Sequence, residues 1–245
     1  MKQVDIAKEK EFHNKLFKDQ DRNHLTEYYD FNGYVYQDFE QIVKSSINVE
    51  SVVLEYGCGL NSYINDFAKV SQKRYAFDIS DYAIEQNEIK YPQTKYQVSD
   101  AHQLDYEDNF FDVVFGTSIL HHLMLDKAIP ELNRIIKPGG LLLFLEPMGH
   151  NYFINKFRDK TPDMRTEDEH PLLNSDLNFI SQNFNISQTK YYCLIPLAVH
   201  VLFKNFKVKW MYSIAKKLDE FVFALFPFIR KYAWIVVIIG KKKII

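Results

Sequence analysis

Cysteine is scarce in this chain: Cys58 and Cys193 are the only two, too few for a disulfide framework and without the paired spacing of metal ligands. That fits a reducing compartment and marks neither thiol as a nucleophile. No stretch is rich in Gly, Pro and Ser, no block of like charge is long enough for a disordered tail, and no internal repeat is visible. Nothing therefore divides the 245 residues, and they read as one domain. The opening Met1-Lys2-Gln3-Val4-Asp5 lacks the apolar core of a signal peptide, so the expected location is cytoplasmic. A uniform excess of one charge is also missing, since the net value is −2; a chain-wide basic surface for nucleic acid is not indicated.

What is present is apolar and aromatic. Hydrophobic residues make up 47% of the chain and aromatic residues 16%, enough for a packed core. The charge is uneven. From Tyr191 onward ten Lys and Arg face two acidic residues, which makes that part +8 and the rest −10. A basic, apolar C-terminal part suits a solvated helix face, an anionic substrate or peripheral contact with an anionic membrane. Within it Ile214, Leu218, Phe221, Val222 and Leu225 recur at helical spacing, but charges interrupt the stripe too often for it to span a bilayer.

Short apolar runs alternate with amphipathic segments, the pattern of parallel strands joined by crossover helices. Strands are predicted at Ser51–Tyr56, Arg74–Asp78, Lys95–Ser99, Asp112–Gly116 and Leu141–Glu146, with helices at Leu60–Ser71, Asp81–Lys90 and Ile119–Ile136 between them. A polar loop, Pro147–Pro171, then leads to a helix at Leu173–Asn183, a strand at Ile186–Cys193, a long helical stretch at Ala198–Phe228 and a last strand at Ala233–Gly240. Ahead of the first strand, Ala7–Lys18 and Tyr34–Ser46 look helical. The expected fold is α/β: a Rossmann-like, doubly wound, seven-stranded and mostly parallel sheet with an antiparallel last strand. Residues 1–50 form an N-terminal helical cap, 51–146 the nucleotide-handling core, and 147–245 a loop, a helical insertion and the last two strands.

The strongest local signal is Val52-Val53-Leu54-Glu55-Tyr56-Gly57-Cys58-Gly59-Leu60-Asn61, a buried strand running into a glycine turn. Glycine permits the sharp turn and the close approach of a ligand. Asp78 ends the next strand about 20 residues on, where an open α/β sheet places a carboxylate to accept from ribose hydroxyls. Asp100 closes the third strand and can accept from an exocyclic amine, while Ile79 offers an apolar surface to a ring. The turn Pro138-Gly139-Gly140 precedes the fifth strand.

In that order, with Asn109-Phe110-Phe111-Asp112-Val113-Val114 and Leu120-His121-His122-Leu123 between, these segments resemble the class I S-adenosylmethionine-dependent methyltransferases over roughly residues 50–146. The resemblance implies S-adenosyl-L-methionine as cofactor. By it Gly57 and Gly59 shape the donor loop, with Cys58, Ala101 and Ser118 beside them; Glu55 lies near the methionine amine, Asp78 holds the ribose, and Asp100 with Ile79 meets the adenine. One departure is Asn61, where the family often has a third glycine; asparagine tolerates the left-handed region better than most residues.

For the acceptor, His121 and His122 follow the fourth strand at the ligand rim. A dense ionisable set, Glu146, His150, Arg158, Arg165, Glu167, Asp168, Glu169 and His170, leaves the fifth. Catalytic candidates are His121, His150 and His170; substrate-binding candidates are Glu146, Arg158, Arg165, His122 and, from the N-terminal aromatic pairs, Tyr28. The bland alternative for the whole set is a salt-bridged loop. The spacing of His150, Asp168 and His170 matches no strong ligand pattern, and no metal is expected. The Asn/Asp-Pro-Pro-aromatic signature of nucleic-acid amine methylation is absent, because the chain has no Pro-Pro. A small-molecule acceptor is thus expected, a metabolite or saccharide intermediate methylated on oxygen, without a nucleic-acid partner; the alternatives are a non-catalytic regulatory subunit that binds S-adenosyl-L-methionine, or a peripheral membrane methyltransferase acting on a lipid-linked substrate. Oligomeric state is not indicated.

Overall fold

The computed structural model describes residues 5–19, 32–160, 169–203 and 209–244. In chain order the elements are α1 (Ile6–Asp19), α2 (Gly33–Ser45), β1 (Val52–Tyr56), α3 (Ile64–Phe67), β2 (Lys73–Asp78), α4 (Asp81–Lys90), β3 (Lys95–Val98) and β4 (Phe111–Thr117). There follow α5 (Leu125–Ile135), β5 (Ile136–Pro147), α6 (Tyr152–Asp159), α7 (Asn174–Asn183), β6 (Phe184–Tyr192), α8 (Ile195–Phe203), α9 (Lys209–Leu225) and β7 (Ile235–Lys242). The seven strands form one sheet in the order β3-β2-β1-β4-β5-β7-β6. The first five are mutually parallel, and β7 runs antiparallel to β5 on one side and β6 on the other. The antiparallel last strand and the doubly wound order agree with the sequence pattern.

Successive side chains of a strand point to opposite faces, so strands buried on both sides must be apolar at nearly every position. Leu54, Tyr56, Val114, Leu142, Phe144, Val236 and Ile238 enter one core with Ala128, Ile129 and Leu132 of α5. Val53, Val113, Phe115, Leu143, Leu145 and Val237 enter the other with Val35, Phe39 and Val43 of α2. The α2 residues recur at every fourth position, one stripe of a helix, and all three are fully buried. Burial of each stabilises the cap on the sheet by roughly 1.5–3 kcal/mol.

Four expected elements come out differently. The helix predicted over Leu60–Ser71 is only Ile64–Phe67, because the Glu55 carboxylate accepts from the backbone amides of Tyr63 and Ile64 and holds the preceding residues as a turn. The helix predicted over Ile119–Ile136 splits into a single turn at Leu120–His122 and α5. There Glu146 accepts from the amides of Ile119 and Leu120, and His102 Nε2 accepts from that of Met124, drawing both off the helical ladder. The polar loop after β5 contains α6, whose start is capped by Asn151 Oδ1 accepting from the amides of Phe153 and Ile154. The long stretch from Ala198 is described as α8 and α9, on either side of residues 204–208.

Candidate functional site

Because β1 to β5 are parallel and in register, their carboxyl ends meet at one edge: Tyr56 lies beside Phe77, Asp78 beside Val98 and Thr117 beside Leu145. A cavity of about 760 Å³ opens there. Its floor includes Gly57, Cys58, Gly59, Asp78, Ile79 and Asp100, and its roof carries Glu9, His13 and Phe17 of α1.

The glycine turn is built for backbone approach. Gly57 has φ +70° and Gly59 φ +53°, conformations that cost most L-residues about 1–2 kcal/mol. A Cβ on Gly57 would stand 2.6 Å from Ile119 Cγ1. Asn61 is not among the described residues with positive φ, so the turn needs no third glycine. The Gly59 amide donates to Asp78 Oδ2 at 2.7 Å and the Ser80 amide to Oδ1 at 2.9 Å. Burial pushes the Asp78 carboxyl above its ordinary range, against the pull of those amides and of nearby His13. At the end of β3 the Asp100 Oδ1 accepts from His102 Nδ1 at 2.7 Å and from the His102 amide at 2.9 Å. Since His102 Nε2 accepts from Met124, its proton sits on Nδ1, and the ring braces Asp100 at the cavity wall.

Eight of the nine donor-site candidates, Gly57, Cys58, Gly59, Asp78, Ile79, Asp100, Ala101 and Ser118, line the cavity. Glu55 lies beneath the floor instead: Oε2 accepts from Ser62 Oγ at 2.5 Å and the Ile64 amide at 3.0 Å, and Oε1 from the Tyr63 amide at 2.9 Å. Burial, outweighing those donors, raises its pKa to about 7. Burial likewise pushes the Cys58 thiol well up, which keeps it protonated and inert at neutral pH.

The acceptor candidates scatter. His122 lines the cavity, but His121, His150 and His170 do not. His121 turns away and is 5% exposed; its Nδ1 bonds Glu146 Oε2 at 2.8 Å, and its Nε2 lies 3.7 Å from Glu169. Glu146, fully buried, spends both oxygens on His121 and on the amides of Ile119 and Leu120, so it braces the loop after β4 and has no face toward the cavity. His150 Nε2 accepts from the Asn174 amide at the start of α7. His170 is exposed, with its backbone amide on the His121 carbonyl. Arg158 pairs with Glu169 at 2.8 Å. Tyr28 and Arg165 lie outside the described residues.

The cavity instead presents a pair that the ionisable loop obscured. On α1, Glu9 and His13 stand one helical turn apart, with His13 Nε2 3.3 Å from Glu9 Oε2 and both side chains largely buried. The His13 ring packs edge-on against His122, centroids 5.3 Å apart. Asn14 fixes α1 over the site: its Oδ1 accepts from Ser80 Oγ at 2.6 Å and its Nδ2 donates to Asp81 Oδ1 at 2.7 Å. Lys10 adds an ion pair to Asp81 at 3.1 Å. The sequence signal for the pair was the four-residue spacing on an amphipathic helix.

Residues 54–144 match a family of methyltransferase domains. Similar proteins include a tRNA (carboxymethyluridine(34)-5-O)-methyltransferase of Arabidopsis thaliana, 36% identical over 97 residues, which are 38% of this chain and 23% of that protein. A sterol 4-C-methyltransferase of Caenorhabditis elegans is 29% identical over 94 residues, 36% of this chain and 28% of the relative. The matches thus span about a quarter of those relatives' length. Among solved structures, the N-methyltransferase NodS of Bradyrhizobium japonicum in complex with S-adenosyl-L-homocysteine superposes with a TM-score of 0.58 at 13% identity, covering 86% of this chain and 87% of that one. That likeness is one of fold.

Proposed function

We propose that this chain, whose residues 54–144 carry a methyltransferase domain, transfers a methyl group from S-adenosyl-L-methionine to a hydroxyl of a small-molecule acceptor. The observation that carries the reading is Asp78 at the cavity floor, locked onto Gly59 of a turn where a Cβ on Gly57 would collide. The residues present fit the donor: a glycine cradle for its amino-acid end, Asp78 for the ribose hydroxyls, and Asp100 with Ile79 for the adenine. Glu55 holds the cradle from below.

When bound there, S-adenosyl-L-methionine supplies an electrophilic methyl group on a sulfonium. The chain must exclude water, align the acceptor and take its proton. The roof of α1, tied down through Asn14 and Lys10, covers one side of the cavity and limits the entry of water there. His13 is the base in this reading: with Nε2 held by Glu9, Nδ1 takes the hydroxyl proton, and the buried carboxylate stabilises the imidazolium that forms. His122 positions the His13 ring by edge contact. The −10 charge of residues 1–190 disfavours a phosphate backbone as partner.

Radiolabelled methyl transfer to a panel of hydroxylated metabolites and amphiphiles tests this. His13→Ala should lower the rate ~100-fold or more and leave S-adenosyl-L-homocysteine affinity within about twofold. Wild-type turnover in that variant overturns the assignment of the base.

A further inference from the structure

The helical insertion leaves a large apolar surface exposed. On α9, Trp210 is 63% exposed, Ile214 50%, Leu218 45%, Phe221 62% and Leu225 55%. Their spacing of three and four residues makes one continuous stripe. Ala215, Asp219 and Phe223, on the other side of α9, are buried. There the Asp219 carboxylate accepts from the amides of Leu194 and Ile195 at the start of α8. The helix therefore already packs on its own domain through one face, and the stripe is a second apolar face. It continues into the turn after α9, where Phe226 and Phe228 are exposed. At the end of that turn the carbonyl of the exposed Tyr232 accepts from Asn151 Nδ2, which brings in the neighbouring exposed pair Tyr152 and Phe153 of α6. Contiguous exposed apolar surface of this extent marks an interaction site.

Two observations identify the occupant. The first is charge: α9 and the turn after it, Lys209 to Tyr232, carry five Lys and Arg against two acidic residues, and one of those two, Asp219, is buried on the amides of Leu194 and Ile195. Lys217, exposed and one turn from both Ile214 and Phe221, borders the stripe, and Lys156 sits over the Tyr152 ring at 5.7 Å. A second copy of this surface would meet it with like charge, whereas an anionic surface complements it. The second is position. The last residue of β6, Tyr192, and the last of β5, Pro147, both pair with Ile235, the first of β7. The insertion between β6 and β7 thus hangs from the same edge of the sheet as the cavity. Lys216 of α9 lies over the ring of Tyr34 in α2, next to Gly33, which lines that cavity.

We propose that the exposed face of α9 and its following turn is a docking surface for an anionic lipid bilayer, and that it sets the cavity rim at the membrane–water boundary. The aromatic and aliphatic stripe enters the headgroup region while flanking lysines meet anionic lipid. Among the described residues no helix is long and apolar enough to cross a membrane, so the contact is interfacial. Resting on the donor reading above, the placement selects an amphiphile with an apolar tail as acceptor class, its hydroxyl reaching the cavity from the bilayer.

Co-sedimentation of the purified chain with vesicles of phosphatidylcholine alone, and of phosphatidylcholine mixed with phosphatidylglycerol, tests the surface. Expected are retention on the anionic vesicles only, weakening as salt is raised, and a blue shift of tryptophan emission that is lost in Trp210→Phe. The double variant Trp210→Ser, Phe221→Ser removes two exposed rings without touching either core and should lower partitioning roughly tenfold or more. The proposal is overturned if wild type stays in the supernatant, or if the double variant sediments as well as wild type. It is overturned equally if wild type is a dimer in solution that the double variant converts to monomer, since the stripe then covers itself. S-adenosyl-L-homocysteine titration of the same samples separates the two readings: vesicle binding without ligand binding upholds the surface and removes the donor assignment.

Discussion

Replacing Glu55 by glutamine separates two effects that the structure sets against each other beneath the glycine turn. The Glu55 carboxylate is 1% exposed and accepts from Ser62 Oγ and the amides of Tyr63 and Ile64. Burial nevertheless raises its pKa from 4.5 to about 7. Between those values the unfolded chain has released the proton and the folded chain still holds it, so stability falls as pH rises through the window and levels off above it. At 1.36 kcal/mol per unit, the 4.5-to-7 shift corresponds to ~3 kcal/mol. Glutamine cannot ionise and lacks that slope. Its amide nitrogen leaves one of the facing donors without an acceptor, a pH-independent loss of about 1–3 kcal/mol. Urea unfolding from about pH 5 to pH 8, followed by tryptophan fluorescence, should therefore find Glu55→Gln clearly weaker than wild type at the acid end and close to it at the alkaline end. Asp219, whose carboxyl burial also raises, tilts both proteins alike and cancels in the difference, whereas the charge of Asp78 adds to the rise at Glu55 and belongs to the same pH-dependent gap. A gap that stays constant or widens with pH would refute the reasoning.

Three further outcomes follow from the same geometry. Asp78→Ala should weaken S-adenosyl-L-methionine binding roughly 10- to 100-fold, because it removes a charged acceptor from the cavity floor and frees the Gly59 amide; unchanged affinity by calorimetry would remove Asp78 from the site. Gly57→Ala must fit a Cβ 2.6 Å from Ile119 Cγ1 at φ +70° and should lose ~2 kcal/mol or more of stability, read as a lower urea midpoint. Glu146→Ala should cost about 3 kcal/mol or more, since the buried amides of Ile119 and Leu120 and the His121 ring lose their acceptor together; a variant that unfolds like wild type would show the loop after β4 to be held by other contacts.

The sheet was legible because its central strands are buried on both sides and so read as apolar runs ending in Glu55-Tyr56, Asp78 or Glu146. The Asp81–Lys90 helix matched to the residue because Ser80 caps it locally, Oγ accepting from the Ala83 amide. Misplaced boundaries trace to long-range acceptors: Glu55 pulls on residues 62–64 and Glu146 on 119–121, and no local propensity records such a pull. That Gly57, Gly59, Asp78 and Asp100 meet at one cavity was legible too, since they sit at strand ends whose order fixes their position. The acceptor side was not. The charged loop after β5 draws attention by composition, yet among its described residues Arg158 closes on Glu169 and Glu146 on His121. The Glu9 and His13 pair is visible as a helical repeat, but it faces the cavity only because Asn14 of the same helix docks on Ser80, 66 residues away.

Calorimetric titration of the purified protein with S-adenosyl-L-methionine and S-adenosyl-L-homocysteine, with NAD as control, tests the central claim most directly. Saturable one-to-one binding of the first two and none of the third is the predicted result. Absence of binding by either sulfur nucleoside, in protein that unfolds cooperatively, would contradict the donor site and leave a methyltransferase fold put to some other use.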